Sequence, residues 1–418
     1  MIKKVKKKCL ICSKQNLYEF IRFGRVALAG SFLKKKNDFL KEKKYPLSLA
    51  FCTNCKSTQV LKNINTNIFF KDYFYASSQI KTLSNHFKDF ANELLKIINK
   101  SDNKSILEIG CNDGILLKNL NNKIFKKMVG IDPAKNIINK IKLNRVKLIN
   151  DFFSYKISKK IKNSFGKFSL IVASNVFAHS HKIVDITKGI HNLLDKDGVF
   201  IFEVHYSKNI ILKNQFDMIY HEHVFNYSLS SLKKLLNICK LKIFDVKFVK
   251  THGGSIRIYS CKNENNAHKT KNVVSKILHS EKNLGLNDLK KYNDFNKTMV
   301  LNSLKYQKTL QQMKKQNLKI AGYGASGRAN TVLQYCKIGK YLDYMIDDSK
   351  YKIGNYTPGT HLKIYSNKIL YTKKRPDIVI IFAWSFKDEV IKKNINFIKK
   401  GGKFLLLLPK IKIISTAK

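Results

Sequence analysis

Ser105-Ile-Leu-Glu-Ile-Gly-Cys-Asn-Asp-Gly114 is an apolar run that leads into a glycine turn. The segment that follows, Ile115–Leu120, predicts the start of a helix. Gly110 and Gly114 lack a Cβ atom, so the backbone of this turn can approach a ligand closely. A strand, a glycine turn and a helix in this order predict the first unit of a parallel α/β sheet.

Further apolar runs repeat this pattern along the chain. Between residues 80 and 260 they alternate with helical stretches, at Met128–Ile131, Leu170–Ala173 and Gly198–Val204. A second series begins at Leu318–Gly322, after a Lys-rich helical region over residues 270–318. We therefore predict an α/β fold with two Rossmann-like halves behind a small N-terminal module. The predicted boundaries are 1–75 for the module, 76–260 for the first half, and 261–418 for the helical connection and second half.

Four of the eight cysteines form two C-x-x-C pairs near the N-terminus. They are Cys9 with Cys12 and Cys52 with Cys55, and 39 residues separate the pairs. Four thiolates complete a tetrahedral zinc site and leave no position for a water, so the pattern predicts a structural zinc module. The alternative is four unlinked free thiols.

The glycine turn indicates which nucleoside ligand the first half binds. Val129-Gly-Ile-Asp132 ends the second strand with an acid, which can accept both ribose hydroxyls. The turn reads E-x-G-x-x-x-G from Glu108 to Gly114, the form that methyltransferases use for S-adenosylmethionine. Many such enzymes have a glycine where this chain has Asn112. The alternative is a glycine turn without a ligand.

The ends of the later strands supply further candidate contacts for S-adenosylmethionine. Phe152 follows the third strand and is expected near adenine, and Asn175 follows the fourth strand and is expected near the methyl donor. The predicted cofactor-binding residues are Glu108, Gly110, Asn112, Gly114, Asp132, Phe152 and Asn175.

These motifs, taken together and in order, resemble sugar C-methyltransferases, which make branched deoxysugars. The resemblance covers nearly the full length of the chain. Besides the two cysteine pairs and the glycine turn, it rests on Tyr45-Pro-Leu47, Asp72-Tyr-Phe-Tyr-Ala-Ser-Ser78, Asn175-Val-Phe-Ala-His179, Phe216-Asp-Met-Ile-Tyr-His-Glu-His223, His252-Gly-Gly-Ser-Ile-Arg257 and Tyr356-Thr-Pro-Gly-Thr-His361. It implies a nucleotide-linked 4-keto-deoxysugar, with dTDP as the expected nucleotide, as the methyl acceptor.

Tyr220-His-Glu-His223 carries the residue types that carbon methylation needs. A base must remove a proton next to the ketone, and donors must stabilise the enolate oxygen that forms. The resemblance implies that His223 is this base and that Glu222 supports it, while Tyr220 and His179 lie near the sugar. A carboxylate beside His223 would raise its basicity and fix its tautomer. In an extended segment Tyr220 and His223 would face opposite ways, whereas in a tight turn they could converge.

One more tyrosine is implied by the resemblance, and it is Tyr75 or Tyr73. We prefer Tyr75 as the catalytic candidate. His221 and His223 are a possible metal pair, but they lack the H-E-x-x-H spacing of zinc hydrolases.

Three other functions compete with this interpretation. Gly322-Tyr-Gly-Ala-Ser-Gly327 fits G-x-G-x-x-G, and Asp347 lies twenty residues further on, as in an NAD-linked sugar oxidoreductase. Zinc together with positive charge suggests a nucleic-acid methyltransferase, although Asn175-Val-Phe-Ala lacks the two prolines of base-methylating enzymes. A third alternative is an assembly protein that has lost activity.

The net charge of +52 bears on partners. Only six of the 80 basic residues are arginine, and the lysines are spread along the whole chain. Nucleic-acid recognition relies strongly on arginine, so we expect no nucleic-acid partner. The sequence has no apolar run as long as a membrane span and no signal core, so we expect a cytoplasmic protein without membrane contact, and a monomer.

Overall fold

The computed structural model describes residues 2–65, 67–70, 76–98, 104–120 and 124–415, and the description below is confined to them. In chain order, the strands are β1 (Lys3–Val5), β2 (Leu17–Ala27), β3 (Lys44–Cys52), β4 (Thr58–Val60), β5 (Ser105–Ile109), β6 (Lys127–Ile131), β7 (Val146–Ile149), β8 (Phe168–Ser174), β9 (Leu194–His205), β10 (Phe225–Asn226), β11 (Leu241–Val249), β12 (Ser255–Lys262), β13 (Ile320–Tyr323), β14 (Tyr344–Ile346), β15 (Ile364–Tyr365), β16 (Ile378–Ile381), β17 (Lys403–Leu406) and β18 (Lys412–Ile414).

The helices connect these strands and cover their faces. They are α1 (Asn67–Phe70), α2 (Lys81–Ile98), α3 (Ile115–Leu120), α4 (Lys135–Ile138), α5 (Tyr155–Phe165), α6 (Ile183–Leu193), α7 (Ser207–Leu212), α8 (Leu229–Ile238), α9 (Asn272–Asn283), α10 (Leu289–Lys315), α11 (Gly327–Tyr335), α12 (Lys387–Lys393) and α13 (Ile395–Lys399). In the part of the chain that the structure describes, no helix is long and apolar enough to cross a membrane.

The sheet of the first half has the order β11-β12-β9-β8-β5-β6-β7. Its strands from β5 to β9 run parallel, and β12 pairs antiparallel with β9. The chain reverses direction across the sheet between β5 and β8, and ligands of open α/β sheets bind outside the carboxyl ends of the strands at such a point. The glycine turn after β5 lies at this point.

The sheet of the second half has the order β15-β14-β13-β16-β17-β18, parallel except for β18. The predicted α/β class, with two Rossmann-like halves, is therefore confirmed. The G-x-G-x-x-G turn follows β13 and leads into α11, in the same place as the first glycine turn in the other half.

A smaller antiparallel sheet, β1-β2-β3-β4-β10, carries the four cysteines at its edge. Its fifth strand comes from far along the chain, since β10 pairs with β4 through Phe225 and Gln59. The long helix α10 packs on this sheet. The ring of Tyr292 stacks on Phe51 at 4.3 Å between centroids and meets Phe20 edge-to-face at 5.1 Å. Each such aromatic ring contributes about 1.5–3 kcal/mol on burial, so α10 joins the small sheet firmly to the second half.

Candidate active site

A cleft of about 1730 Å³ lies between the two halves. The loops at the carboxyl ends of both parallel sheets line it, including the turns at Gly110 and Gly324. Both glycine turns therefore open into one shared space, which is large enough for two ligands of nucleotide size.

The backbone of the first turn lies close to the loop that follows β8. Gly110 has φ of 72°, and a Cβ there would lie 2.3 Å from Cγ2 of Val176. Gly114 also has positive φ, at 72°. Asn112 occupies the position where many relatives have glycine, and its φ of 48° is one that asparagine tolerates better than most residues. The departure at Asn112 is therefore compatible with the turn.

Asp132 lies at the end of β6, with its carboxylate held by two backbone amides. Oδ1 accepts a hydrogen bond from the N–H of Ala134 at 2.8 Å, and Oδ2 accepts one from the N–H of Asn112 at 2.9 Å. Burial raises the pKa of this carboxyl group. Each oxygen still has a lone pair, so the ribose contact predicted from the sequence is compatible with this geometry and stays a prediction.

Two buried acceptor atoms in the same part of the cleft have no hydrogen-bond partner within the described residues. They are Oε2 of Glu108, at the end of β5, and Oδ1 of Asn175, just after β8. Burial, with Asp132 close by, raises the pKa of Glu108 well above its usual range. Buried acceptors without a hydrogen-bond partner fit a ligand that has its own donors, such as the amino group of S-adenosylmethionine.

Phe152 is placed to contact a flat ring. Its side chain is 36% exposed and lines the cleft, whereas the adjacent Phe153 is buried. The ring of Phe70 lies 6.3 Å from Phe152 and 5.8 Å from His179. Phe70 was not singled out from the sequence. The candidates Tyr75 and Tyr73 lie outside the described residues.

Replacing Asp132 with asparagine is expected to weaken S-adenosylmethionine binding by roughly 10–100-fold, because hydrogen bonds to a charged group are lost. Isothermal titration calorimetry measures the dissociation constant directly. Asp197→Asn, an exposed position in β9, is the matched control and should bind as the wild type does. Unchanged affinity in the Asp132 variant would remove this carboxylate from the cofactor site.

Phe216–His223, called the catalytic loop below, ends in a tight turn. The N–H of His223 donates to the carbonyl of Tyr220 at 2.9 Å, so the Tyr220 and His223 side chains converge. Nδ1 of His223 lies 2.7 Å from the carbonyl oxygen of Met218. A carbonyl only accepts, so Nδ1 carries the proton, and Nε2 accepts a hydrogen bond from the Tyr220 hydroxyl at 2.7 Å. His223 is thus a neutral imidazole, and its basic nitrogen, Nε2, is hydrogen-bonded to the Tyr220 hydroxyl.

The structure corrects the expected role of Glu222. Both ring nitrogens of His223 already have partners, so the Met218 carbonyl, and not the Glu222 carboxylate, fixes the tautomer. Glu222 instead faces the cleft, and burial raises its pKa to about 7. A carboxyl group of this kind is partly protonated at neutral pH and can donate a hydrogen bond to a ligand.

Three more histidines surround His223 in the cleft. Ring centroids of His179 and His205 lie 5.1 Å and 4.9 Å from that of His223, and His252 lies 5.4 Å from His205. Burial lowers the pKa of His179 and of His252 to about 4, and those of His205 and His223 well below their usual range. The cluster is therefore uncharged at neutral pH.

His205 was missed in the sequence, although a signal for it exists. It is the last residue of β9 and lies at the same sheet edge as Asn175, which follows β8. His252 lies in a segment that carries the family resemblance, but its approach to His205 depends on the antiparallel pairing of β9 and β12. That pairing has no local signature in the sequence.

The four cysteines form a compact cluster, as the sequence predicts. Their Sγ atoms all lie within 4.8 Å of one another, with Cys9 3.5 Å from Cys55 and Cys12 3.6 Å from Cys52. Tetrahedral zinc with Zn–S bonds of about 2.3 Å places sulfur atoms about 3.8 Å apart, so the cluster fits the ion. All four positions of the metal are then filled by protein, which makes this zinc site structural.

Family models match most of the chain in three consecutive segments. They describe a zinc binding domain over residues 9–70, a methyltransferase domain over residues 80–239 and a C-methyltransferase C-terminal domain over residues 250–409. The chain is an S-adenosylmethionine-dependent C-methyltransferase. Its cofactors are S-adenosylmethionine and zinc, and the four-cysteine cluster lies in the zinc binding domain.

A relative of similar length supports this family. The C-methyltransferase NovU of Streptomyces niveus is 27% identical over 408 residues, which cover 97% of this chain and 96% of the relative.

Solved methyltransferases resemble part of the chain. An S-adenosylmethionine-dependent methyltransferase of Clostridium acetobutylicum is 17% identical with a TM-score of 0.32, covering 42% of this chain and 91% of its own. Magnesium protoporphyrin IX methyltransferase of Synechocystis, with bound S-adenosylmethionine, is 12% identical with a TM-score of 0.36, covering 48% and 98%.

Proposed function

We propose that this C-methyltransferase methylates a carbon next to the ketone of a nucleotide-linked 4-keto-deoxysugar, with dTDP as the nucleotide. The observation that carries the proposal is the Tyr220–His223 pair, a neutral imidazole with its basic nitrogen turned into a cleft that also holds the cofactor residues. Carbon methylation needs a base of this kind, because a C–H bond beside a ketone does not ionise unaided at neutral pH.

His223 is the proposed proton acceptor. Its Nδ1 keeps its proton and donates a hydrogen bond to the Met218 carbonyl, so Nε2 is the nitrogen that can accept a proton. Nε2 takes the proton from the substrate carbon either directly or through the Tyr220 hydroxyl, which is hydrogen-bonded to it. Burial disfavours the imidazolium in the resting protein, and the negative enolate formed beside it offsets this cost during the reaction. S-adenosylmethionine, held by the proposed contacts Glu108, Asp132 and Asn175, would supply an electrophilic methyl group to the substrate carbon and leave as S-adenosylhomocysteine when its methyl–sulfur bond breaks.

The enolate oxygen needs hydrogen-bond donors, and the cleft offers neutral ones. Nδ1 of His179 is buried without a partner within the described residues and donates in the tautomer that protonates it, and the protonated form of Glu222 can also donate. Donors held in place before the reaction stabilise charge more effectively than water does. We assign these two groups and Tyr220 to the sugar, as the family resemblance implies.

The nucleotide part is proposed to lie toward the second half. Lys352 and Lys393 of the second half line the cleft and supply positive charge for a diphosphate, besides Lys34 of the N-terminal module and Lys156, Lys160 and Lys182 of the first half. The proposed catalytic base, His223, is buried inside this cleft. A small sugar can reach it more easily than a nucleobase that is held in a polynucleotide. We expect the protein to act as a monomer in the cytoplasm.

The test is mass spectrometry of the enzyme with methyl-labelled S-adenosylmethionine and a panel of nucleotide-linked 4-keto-6-deoxysugars. A sugar product that is one labelled methyl heavier, with the label on carbon by NMR, supports the proposal and identifies the position. If the cofactor binds but no sugar in a broad panel is labelled, the proposed acceptor class is wrong.

A further inference from the structure

The G-x-G-x-x-G turn of the second half packs against the catalytic loop. A Cβ on Gly327 would lie 3.1 Å from both Cε2 and Cζ of Tyr220, so only glycine fits without displacing the tyrosine ring. Ser326 caps α11 by accepting from the N–H of Ala329. In dinucleotide-binding proteins the pyrophosphate lies at this end of the helix. In this protein the ring of Tyr220 lies against this end of α11, where the pyrophosphate would otherwise lie.

An ion pair joins the same turn of α11 to the catalytic loop. Nε and Nη2 of Arg328 both lie 2.7 Å from Oδ2 of Asp217, which is 1% exposed. Nε1 of Trp384 donates to the same oxygen at 2.9 Å, and the guanidinium group lies 4.5 Å from the centre of the indole ring. Nη1 of Arg328 donates to Ser385 Oγ at 3.0 Å. One carboxylate oxygen of the first half, Oδ2 of Asp217, is thus held by donors of the second half, whereas Oδ1 is buried without a hydrogen-bond partner in the described residues.

One further bond completes the attachment. The hydroxyl of Thr331, one turn along α11, donates to the carbonyl of Ile219 at 3.0 Å. Asp217 and Ile219 are the two neighbours of Met218, whose carbonyl holds Nδ1 of His223. Helix α11 therefore fixes the backbone on both sides of the group that sets the tautomer of His223.

We propose that Arg328 and Asp217 are positioning residues that hold the catalytic loop in its active geometry, and that the G-x-G-x-x-G turn serves this contact in place of a dinucleotide. This inference rests on the proposed function only in taking His223 as the base. The active-site geometry then depends on the contacts that α11 of the second half makes with the catalytic loop.

The charges around His223 make this arrangement measurable. The groups facing it are His179, His205 and His252, the Tyr220 hydroxyl, the adjacent Glu222, and the Arg328–Asp217 pair. After burial and the neighbouring His179, the Arg328 cation is among the causes that lower the pKa of His223. Loss of the cation should raise this pKa, and loss of the Asp217 charge should lower it further.

The experiment compares Arg328→Gln, Asp217→Asn, the double variant and Arg328→Lys in the full-length protein. Hydrogen–deuterium exchange is expected to become at least about tenfold faster in residues 216–223 in each single variant. NMR titration of the imidazoles, with His223→Asn to assign the signal, should show the His223 pKa rising in Arg328→Gln and falling in Asp217→Asn. In Arg328→Lys it should stay near the wild-type value, because the charge remains. Arg375→Gln, far from the cleft, is the control.

Both measurements are made without a sugar, so they separate this inference from the proposed function. If folded variants exchange residues 216–223 at the wild-type rate and leave the His223 titration unchanged, Arg328 and Asp217 do not position the loop. Failure of the wild-type enzyme to methylate any sugar would overturn the proposed function and leave these results standing. Should Arg328→Gln not fold, Arg328→Lys still tests the loop, since faster exchange is expected there too.

Discussion

Replacing His223 with alanine is expected to lower kcat by roughly 10²–10⁴-fold, the usual contribution of a general base. The imidazole is hydrogen-bonded to Tyr220 and Met218, whereas the proposed cofactor contacts at Asp132 and Asn112 are hydrogen-bonded to each other and follow other strands. The dissociation constant for S-adenosylmethionine should therefore stay unchanged. Steady-state rates with an acceptor sugar that the wild-type enzyme methylates, together with calorimetry for the cofactor, measure the two quantities separately.

The matched control is His279→Ala, which removes an exposed imidazole from α9 and should retain wild-type turnover. The wild-type rate should also persist below pH 6.5, because burial lowers the pKa of His223 and the neutral, proton-accepting form survives into acid. Near-normal turnover in His223→Ala would exclude this histidine as the base.

Replacing Cys52 with serine is expected to abolish zinc binding and to destabilise the N-terminal module by more than about 4 kcal/mol. Cys52 is fully buried at the end of β3, and its Sγ lies 3.6 Å from that of Cys12, so the remaining thiolates cannot close the tetrahedron around the metal. Metal analysis by mass spectrometry should fall from about one zinc per chain to near zero. Thermal unfolding should begin at a lower temperature.

Cys239→Ser makes the same chemical change in a buried cysteine that lies outside the cluster. It should keep its zinc and lose little stability, which separates loss of the metal from the cost of a buried hydroxyl. A Cys52 variant that stays folded without metal would contradict the structural role of zinc.

The parts of the site that follow local rules could be predicted from the sequence. The glycine turn, the acid at the end of the next strand and the doubled cysteine pairs each have a fixed spacing that reflects their geometry. Asp132 and the four cysteines accordingly lie where they were expected. The fold class follows from the same alternation of apolar runs and helical stretches.

Contacts between distant segments could not be predicted in this way. The partner of His223 Nδ1 is a backbone carbonyl, which every residue has, so no side chain marks Met218 in advance. Asp217 and Arg328 are 111 residues apart and meet only because the two halves dock. The assignment of Glu222 as the group that orients His223 was wrong for this reason: a nearby carboxylate was visible in the sequence, and a carbonyl was not.

The fifth strand of the sheet that carries the cysteines, β10, connects the zinc site to the loop that contains His223. β10 begins two residues after His223, and the N–H of Val60 donates to the carbonyl of Val224 at 2.8 Å. Main-chain hydrogen bonds thus join the segment with the proposed base, His223, to the sheet that carries the cysteines. Enzyme without zinc would therefore lose turnover while it still binds S-adenosylmethionine. When zinc is scarce, part of the enzyme would hold the methyl donor without transferring the methyl group.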